Sequence, residues 1–168
     1  MRKRTIVASL IVGAVFGLFF SGMALKSASS HVLFKEISVN YSFEKTVDLL
    51  LRRINAQEGW HVTGVIDQQA EIIEHGGSDT GKVKIINFCN AKLSSEMLSA
   101  DERKFMAVNM PLSIAVYEKS DGRVTIGLSN GYVMARLFSG SDEGKIMQKV
   151  VKDIESVLAF THYRYTIF

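Results

Sequence analysis

The chain has 168 residues, enough for one domain and an appendage. Its 20 basic and 17 acidic residues are unevenly placed: Arg2, Lys3 and Arg4 head a segment of residues 1–25 that has no acid. The remainder is balanced, which excludes a nucleic-acid binder relying on surplus Lys and Arg to neutralise phosphates. With Cys89 as the single cysteine, no internal disulfide can form, and an ordinary hydrophobic core must hold the fold.

Thr5 to Leu25 is an uncharged apolar run. As a helix it would extend roughly 30 Å, the hydrocarbon thickness of a bilayer. The basic residues before it predict an N-terminus kept in the cytoplasm and a body carried across. Residues 1–25 therefore read as a membrane anchor, and the localisation expected is the cytoplasmic membrane, single-pass, with the domain in the periplasm or outside the cell. Gly22-Met23-Ala24 supplies small residues suited to signal cleavage, so a secreted domain is the alternative. Residues 26–31 form a polar linker; Lys26–Ser30 reaches at most about 18 Å when extended. The body is 32–168.

Val32–Tyr41 alternates as a first strand. Ser42 is placed as an N-cap for a helix with Phe43, Val47, Leu50 and Ile54 on one face, closed near Gly59. Trp60–Ile66 reads as a strand, and Asp67–His75 as either a short helix or a continuation of it. Residues 76–81 form a glycine-rich loop. Lys82–Phe88 is a third strand, Ala91–Ser99 a short helix, and Ala100–Val108 a second helical piece. Pro111 breaks the chain before strands Leu112–Glu118 and Arg123–Ser129, which Asp121-Gly122 joins as a hairpin. Ser141 caps a last helix with an apolar stripe through Ile146, Met147, Val150, Ile154, Val157 and Leu158. Thr161–Phe168 is expected to form a last strand or simply to pack, ahead of the alternative that its tyrosines touch lipid headgroups. The order, β-α-β-(α)-β-α-β-β-α, lacks sustained βα alternation. It predicts an α+β fold, an antiparallel sheet with helices mainly on one face.

Three short motifs then matter together: Phe43-Glu44-Lys45-Thr46-Val47 opening the first helix, Cys89-Asn90 with Lys92-Leu93, and Val116-Tyr117-Glu118 with Asp121-Gly122. Through them the stretch from about Phe34 to Ala159 resembles the domain-of-unknown-function 302 family (DUF302). The resemblance implies a small α+β fold, often dimeric, and no established activity, so no catalytic residue carries over. The family often has proline after Cys-Asn, where this chain has Ala91. Many members have cysteine after the proline that precedes the hairpin, where this chain has Leu112.

Cys89 is the sharpest chemical candidate, with Asn90 beside it. A thiol at a helix N-terminus is favoured as thiolate and can serve as nucleophile, redox group or soft-metal ligand. The simpler account is a small buried residue with Asn90 as helix cap. His31, His61, His75 and His162 show no metal-ligand spacing. Met97, Met106, Met110, Met134 and Met147 are numerous; thioethers bind Cu(I) or haem iron, but core filling explains them more simply. Glu71, Glu74, His75 and Asp79 read as a solvated edge. Residues 76–82 lack the order of a phosphate loop and precede a strand.

Two functions stand as the leading expectations, with an enzyme of dispersed site as a third. The first is a non-enzymatic, membrane-tethered binding or accessory domain, whose partners would be the membrane, a small ligand or protein, or a second copy in a homodimer. The second is a thiol-, soft-metal- or haem-dependent redox or binding function centred on Cys89. The sequence names no cofactor.

Overall fold

The computed structural model describes Gly13 and residues 32–166. The linker and, Gly13 apart, the anchor lie outside the described residues, among which no helix is long and apolar enough to cross a membrane.

The described chain runs β1 (Phe34–Val39), α1 (Phe43–Ala56), β2 (Trp60–Asp67), α2 (Gln68–Glu74), β3 (Val83–Asn90) and α3 (Ala91–Leu98). A 3-10 segment (Asp101–Asn109) leads to β4 (Leu112–Glu118), β5 (Val124–Ser129), α4 (Gly131–Leu137) and α5 (Asp142–Val157). The strands form one sheet in the order β1-β5-β4-β3-β2, with every neighbouring pair antiparallel. The fold is α+β, as expected.

Alternation along the strands builds the core. Ile114 pairs with Ile86 on one side and Leu128 on the other, and Val116 pairs with Ile126. Side chains directly opposite share a face, so these five form one buried apolar layer. Phe43, Val47, Leu50 and Ile54 of α1, with Ile154 and Val157 of α5, cover it. Leu50 and Ile54 have no exposed surface, and each contributes about 1.5–3 kcal/mol through burial. Arg53 of α1 donates from Nε to the Val157 carbonyl at 2.6 Å and from Nη2 to that of Ser156 at 2.7 Å. It thereby satisfies the open carbonyls at the end of α5 and ties the two helices together.

Local chemistry sets the boundaries. Ser42 Oγ accepts from the Lys45 amide, and Ser141 Oγ from that of Gly144, so both expected N-caps hold. The segment after β2 is helical because Asp67 Oδ1 caps it through the Ala70 amide. Val150, placed in the expected stripe of α5, is only half-buried, while Val151, left out of it, is buried. Residues 162–166 form no strand; Tyr163 and Tyr165 pack against the core, and the Tyr165 amide donates to Glu155 at 2.7 Å.

A second, smaller core lies beside the main one. Met97, Met106 and Ile146 are its buried centre, with Leu93, Met110, Phe138 and Met147 packed around them. Arg103 holds the end of α3 here, donating to the carbonyls of Met97 and Glu96 and to Ser99 Oγ. This core carries the candidate site.

Candidate functional site

The end of β3, α3, the 3-10 segment and α5 enclose a pocket of about 90 Å3. Its walls are Trp60 and Phe88 from the sheet, Leu93, Ser94 and Met97 from α3, Met106, Asn109 and Met110, then Leu112, and Ile146, Met147 and Val150 from α5. Cys89 and Asn90 complete the lining. Four of the five singled-out methionines are thus brought together with the cysteine. Met134, on α4, is not among them. An enclosed apolar cavity of about 150 Å3 accepts benzene. A pocket of this volume takes a smaller group whole, or the end of a larger apolar one.

Trp60 and Phe88 pack against each other with ring centroids 5.5 Å apart. Trp60 Nε1 donates to Asp153 Oδ2 at 2.9 Å, which fixes the indole against α5. Asn90 fulfils its expected cap role: Oδ1 accepts from the Leu93 amide at 3.1 Å and starts α3. Its Nδ2 faces the Glu58 carbonyl at 3.5 Å. Gly59, at φ +76°, makes this close approach possible, since a Cβ there would sit 2.8 Å from Asn90 Nδ2.

Cys89 is half-buried, and its Sγ lies 3.1 Å from Ser94 Oγ. The β2–β3 register pairs it directly with His61. Cross-strand partners hold their Cβ atoms about 4.5–5.5 Å apart, so thiol and imidazole share one sheet face. Sequence reasoning found no histidine near Cys89 because 27 residues, including α2 and its loop, separate the two in the chain. Only the register brings them together.

Among the remaining candidates, His75 and Asp79 bond locally. His75 Nδ1 lies 2.9 Å from the Glu71 carbonyl within α2. Asp79 accepts from the Gly81 amide and from Gln69, both at 2.8 Å, and these bonds hold its carboxyl below the usual carboxylate range. They brace the glycine loop. Among the described residues, no group of three or more His, Cys, Asp or Glu is placed to hold a metal ion. On the sheet face turned from α1 and α5, Tyr117 donates to Glu36, which also receives Lys119 Nζ at 2.6 Å. The Tyr117 ring lies over Gly127, where a Cβ would approach it to 3.0 Å. Nothing in the order of residues pointed to this cluster; the pairing of β1 with β5 creates it.

A family model described as "Domain of unknown function DUF302" matches residues 35–160. The fold is similar to the crystal structure of an uncharacterized conserved DUF302 protein from Bacillus stearothermophilus. The TM-score is 0.65 at 18% identity, covering 77% of this chain and 98% of that one. No curated protein matches.

Proposed function

The chain belongs to the DUF302 family, and from that premise we propose that it is a membrane-tethered, non-enzymatic binding domain on the extracytoplasmic side. The N-terminal apolar run and its basic flank support the tether. The observation that carries the binding role is the pocket, with Trp60, Phe88 and four methionines forming an adaptable apolar wall. The ligand it suits is a small apolar molecule, or the apolar end of a larger one. Asn109 and Ser94 on the lining would orient a polar group on that ligand.

Trp60 is the sole tryptophan and lines the pocket, so its emission reports occupancy. Titration with dimethyl sulfide should give a saturable change that Met147→Lys abolishes by placing a charge at the pocket. A linear response, identical in the variant, would remove the pocket from the function.

A second reading has its own observation: Cys89 joins four thioethers around one cavity, with His61 across the ladder. Soft donors of this kind suit Cu(I) or a haem iron. A Cu(I)–thiolate pair is neutral overall, which an apolar wall tolerates better than a net charge. Stoichiometric Cu(I) or Ag(I) uptake, or a haem spectrum, lost in Cys89→Ser would favour this reading over the first.

A further inference from the structure

We propose that the outer side of the 3-10 segment and α4 rests on the lipid surface, so that the domain docks against the bilayer it is tethered to. The inference deepens the tethered reading above and rests on it.

Val108, Leu137 and Phe105 are 84%, 71% and 58% exposed. A 3-10 helix has three residues per turn, so residues three apart stack. Phe105 and Val108 therefore share the outer side, while Arg103, Met106 and Asn109 share the inner one. Met106 and Asn109 line the pocket. The Phe105 ring meets that of Phe138, which directly follows Leu137, with centroids 6.4 Å apart. The exposed groups thus continue from one element to the next.

α4 is itself unusual for a surface helix. Its sequence is Gly-Tyr-Val-Met-Ala-Arg-Leu, and only Ala135 is buried. Arg136 stands over the Tyr132 ring at 5.5 Å. A cation and a tyrosine together suit the headgroup level, where an amphipathic ring and a snorkelling arginine are both favoured.

The route of the chain selects lipid as the occupant. Asn130, which heads α4, donates from its backbone amide to the Leu33 carbonyl and from Nδ2 to that of Val32, both at 2.8 Å. The chain from the expected anchor therefore arrives at the start of α4. The linker reaches at most about 18 Å, and α4 is only about 10 Å long. The whole helix stays within reach of the bilayer. A tether that short keeps the lipid surface at high effective concentration, which adds to a contact that the exposed apolar side chains already make on their own. The acids beside the patch are paired, Asp101 with Lys104 and Asp142 with Lys145, so charge there is balanced, apolar insertion drives the contact and anionic lipid adds little.

The test uses residues 31–168, because the crystallised DUF302 protein is matched over 98% of its own length and so carries this fold with little beyond it. The probes are vesicles of phosphatidylcholine and of an equimolar phosphatidylethanolamine–phosphatidylglycerol mixture, read by flotation. The expected result is partition into both, little changed by high salt. It should fall about tenfold or more in the triple variant Phe105→Ser, Val108→Ser, Leu137→Ser, given the loss of apolar area. Ile73→Ser, exposed on α2, should not change it. Because all three positions are exposed, the thermal midpoint of the variant should be unchanged, which keeps the comparison valid. Failure of the wild-type body to float, or equal flotation of the variant, would overturn the proposal. A dimer in solution that the triple variant dissolves would overturn it in favour of a second copy. Removal of the N-terminal segment in the mature full-length protein, read by mass, would instead strike the tether while leaving vesicle binding and Trp60 titration intact.

Discussion

Replacing Asn90 by alanine tests whether a single helix cap sets the pocket wall. The substitution deletes the 3.1 Å bond to the Leu93 amide, and lost caps cost about 1 kcal/mol. The Nδ2 contact with the Glu58 carbonyl, at 3.5 Å, is at the outer limit for a hydrogen bond and adds little. Asn90 is 7% exposed, so removing its amide also forfeits packing, worth about another 1 kcal/mol. The sum is about 2 kcal/mol, which lowers the urea midpoint by about 1 M for a domain of this size. Asn90→Ser keeps an oxygen able to cap and should recover about half of that loss. Both proteins are followed by urea unfolding, monitored by far-UV circular dichroism and by Trp60 emission. Equal destabilisation by serine and alanine would show that the cap contributes nothing. A loss below about 0.5 kcal/mol in the alanine variant would refute the whole account of how α3 begins.

Gly59→Ala should destabilise by about 1–3 kcal/mol, read as a lower thermal midpoint, because the position holds φ +76° and the new Cβ would press on Asn90 Nδ2. Leu50→Ala should cost about 2–5 kcal/mol in urea, since the side chain is fully buried between α1 and the sheet. The phenols of Tyr165, Tyr163 and Tyr117 are raised mainly by burial, reinforced by Glu155 for the first two, by Tyr163 for Tyr165 and by the bond to Glu36 for Tyr117. Their folded values lie above the unfolded value of about 10, so the stability they contribute is complete below that pH and is lost as pH rises through the folded values. Alkaline difference absorbance should therefore show part of the phenolate signal appearing only together with unfolding. A titration complete before any loss of circular dichroism would contradict this.

The elements with strong period and strong caps were legible in the sequence. Helix α1 announces itself through Ser42 and the spacing of Phe43, Val47, Leu50 and Ile54, and α5 through Ser141 and its apolar stripe. The hairpin is marked by Gly122, which adopts φ +80°. Helix α4 carries no comparable mark: Asn130 makes no side-chain cap bond to it, and seven residues with one buried position give no amphipathic period. It forms by packing against α5. The candidate site was half legible. Cys89 and Asn90 stand out as a pair ending a strand, and the methionines stand out by number. Their convergence does not, because Met97 lies on α3, Met106 and Met110 on the 3-10 segment and its C-cap, and Met147 on α5, a spacing that follows no single helix or strand. They meet through the packing of α3 and the 3-10 segment against α5.

The departure at Leu112 bears on what the gathered sulfur can do. Leu112 pairs with Phe88 in the β3–β4 register and lines the pocket. Where many relatives are expected to place a second thiol, this chain therefore places a branched hydrocarbon on the pocket wall. A dithiol–disulfide cycle within the chain needs two cysteines, and the chain has one. The recognition role proposed above does not need that cycle: it uses methionine side chains that adapt to shape, beside a single thiol that lies against Ser94. Both proposed ligands, a small apolar molecule and a soft cation, use the same polarizable wall. They differ in one respect, since the cation needs the Cys89 proton to leave and the apolar molecule does not. Proton release on binding, measured in weakly buffered solution, therefore separates a soft cation from an apolar molecule by the chemistry of the thiol alone.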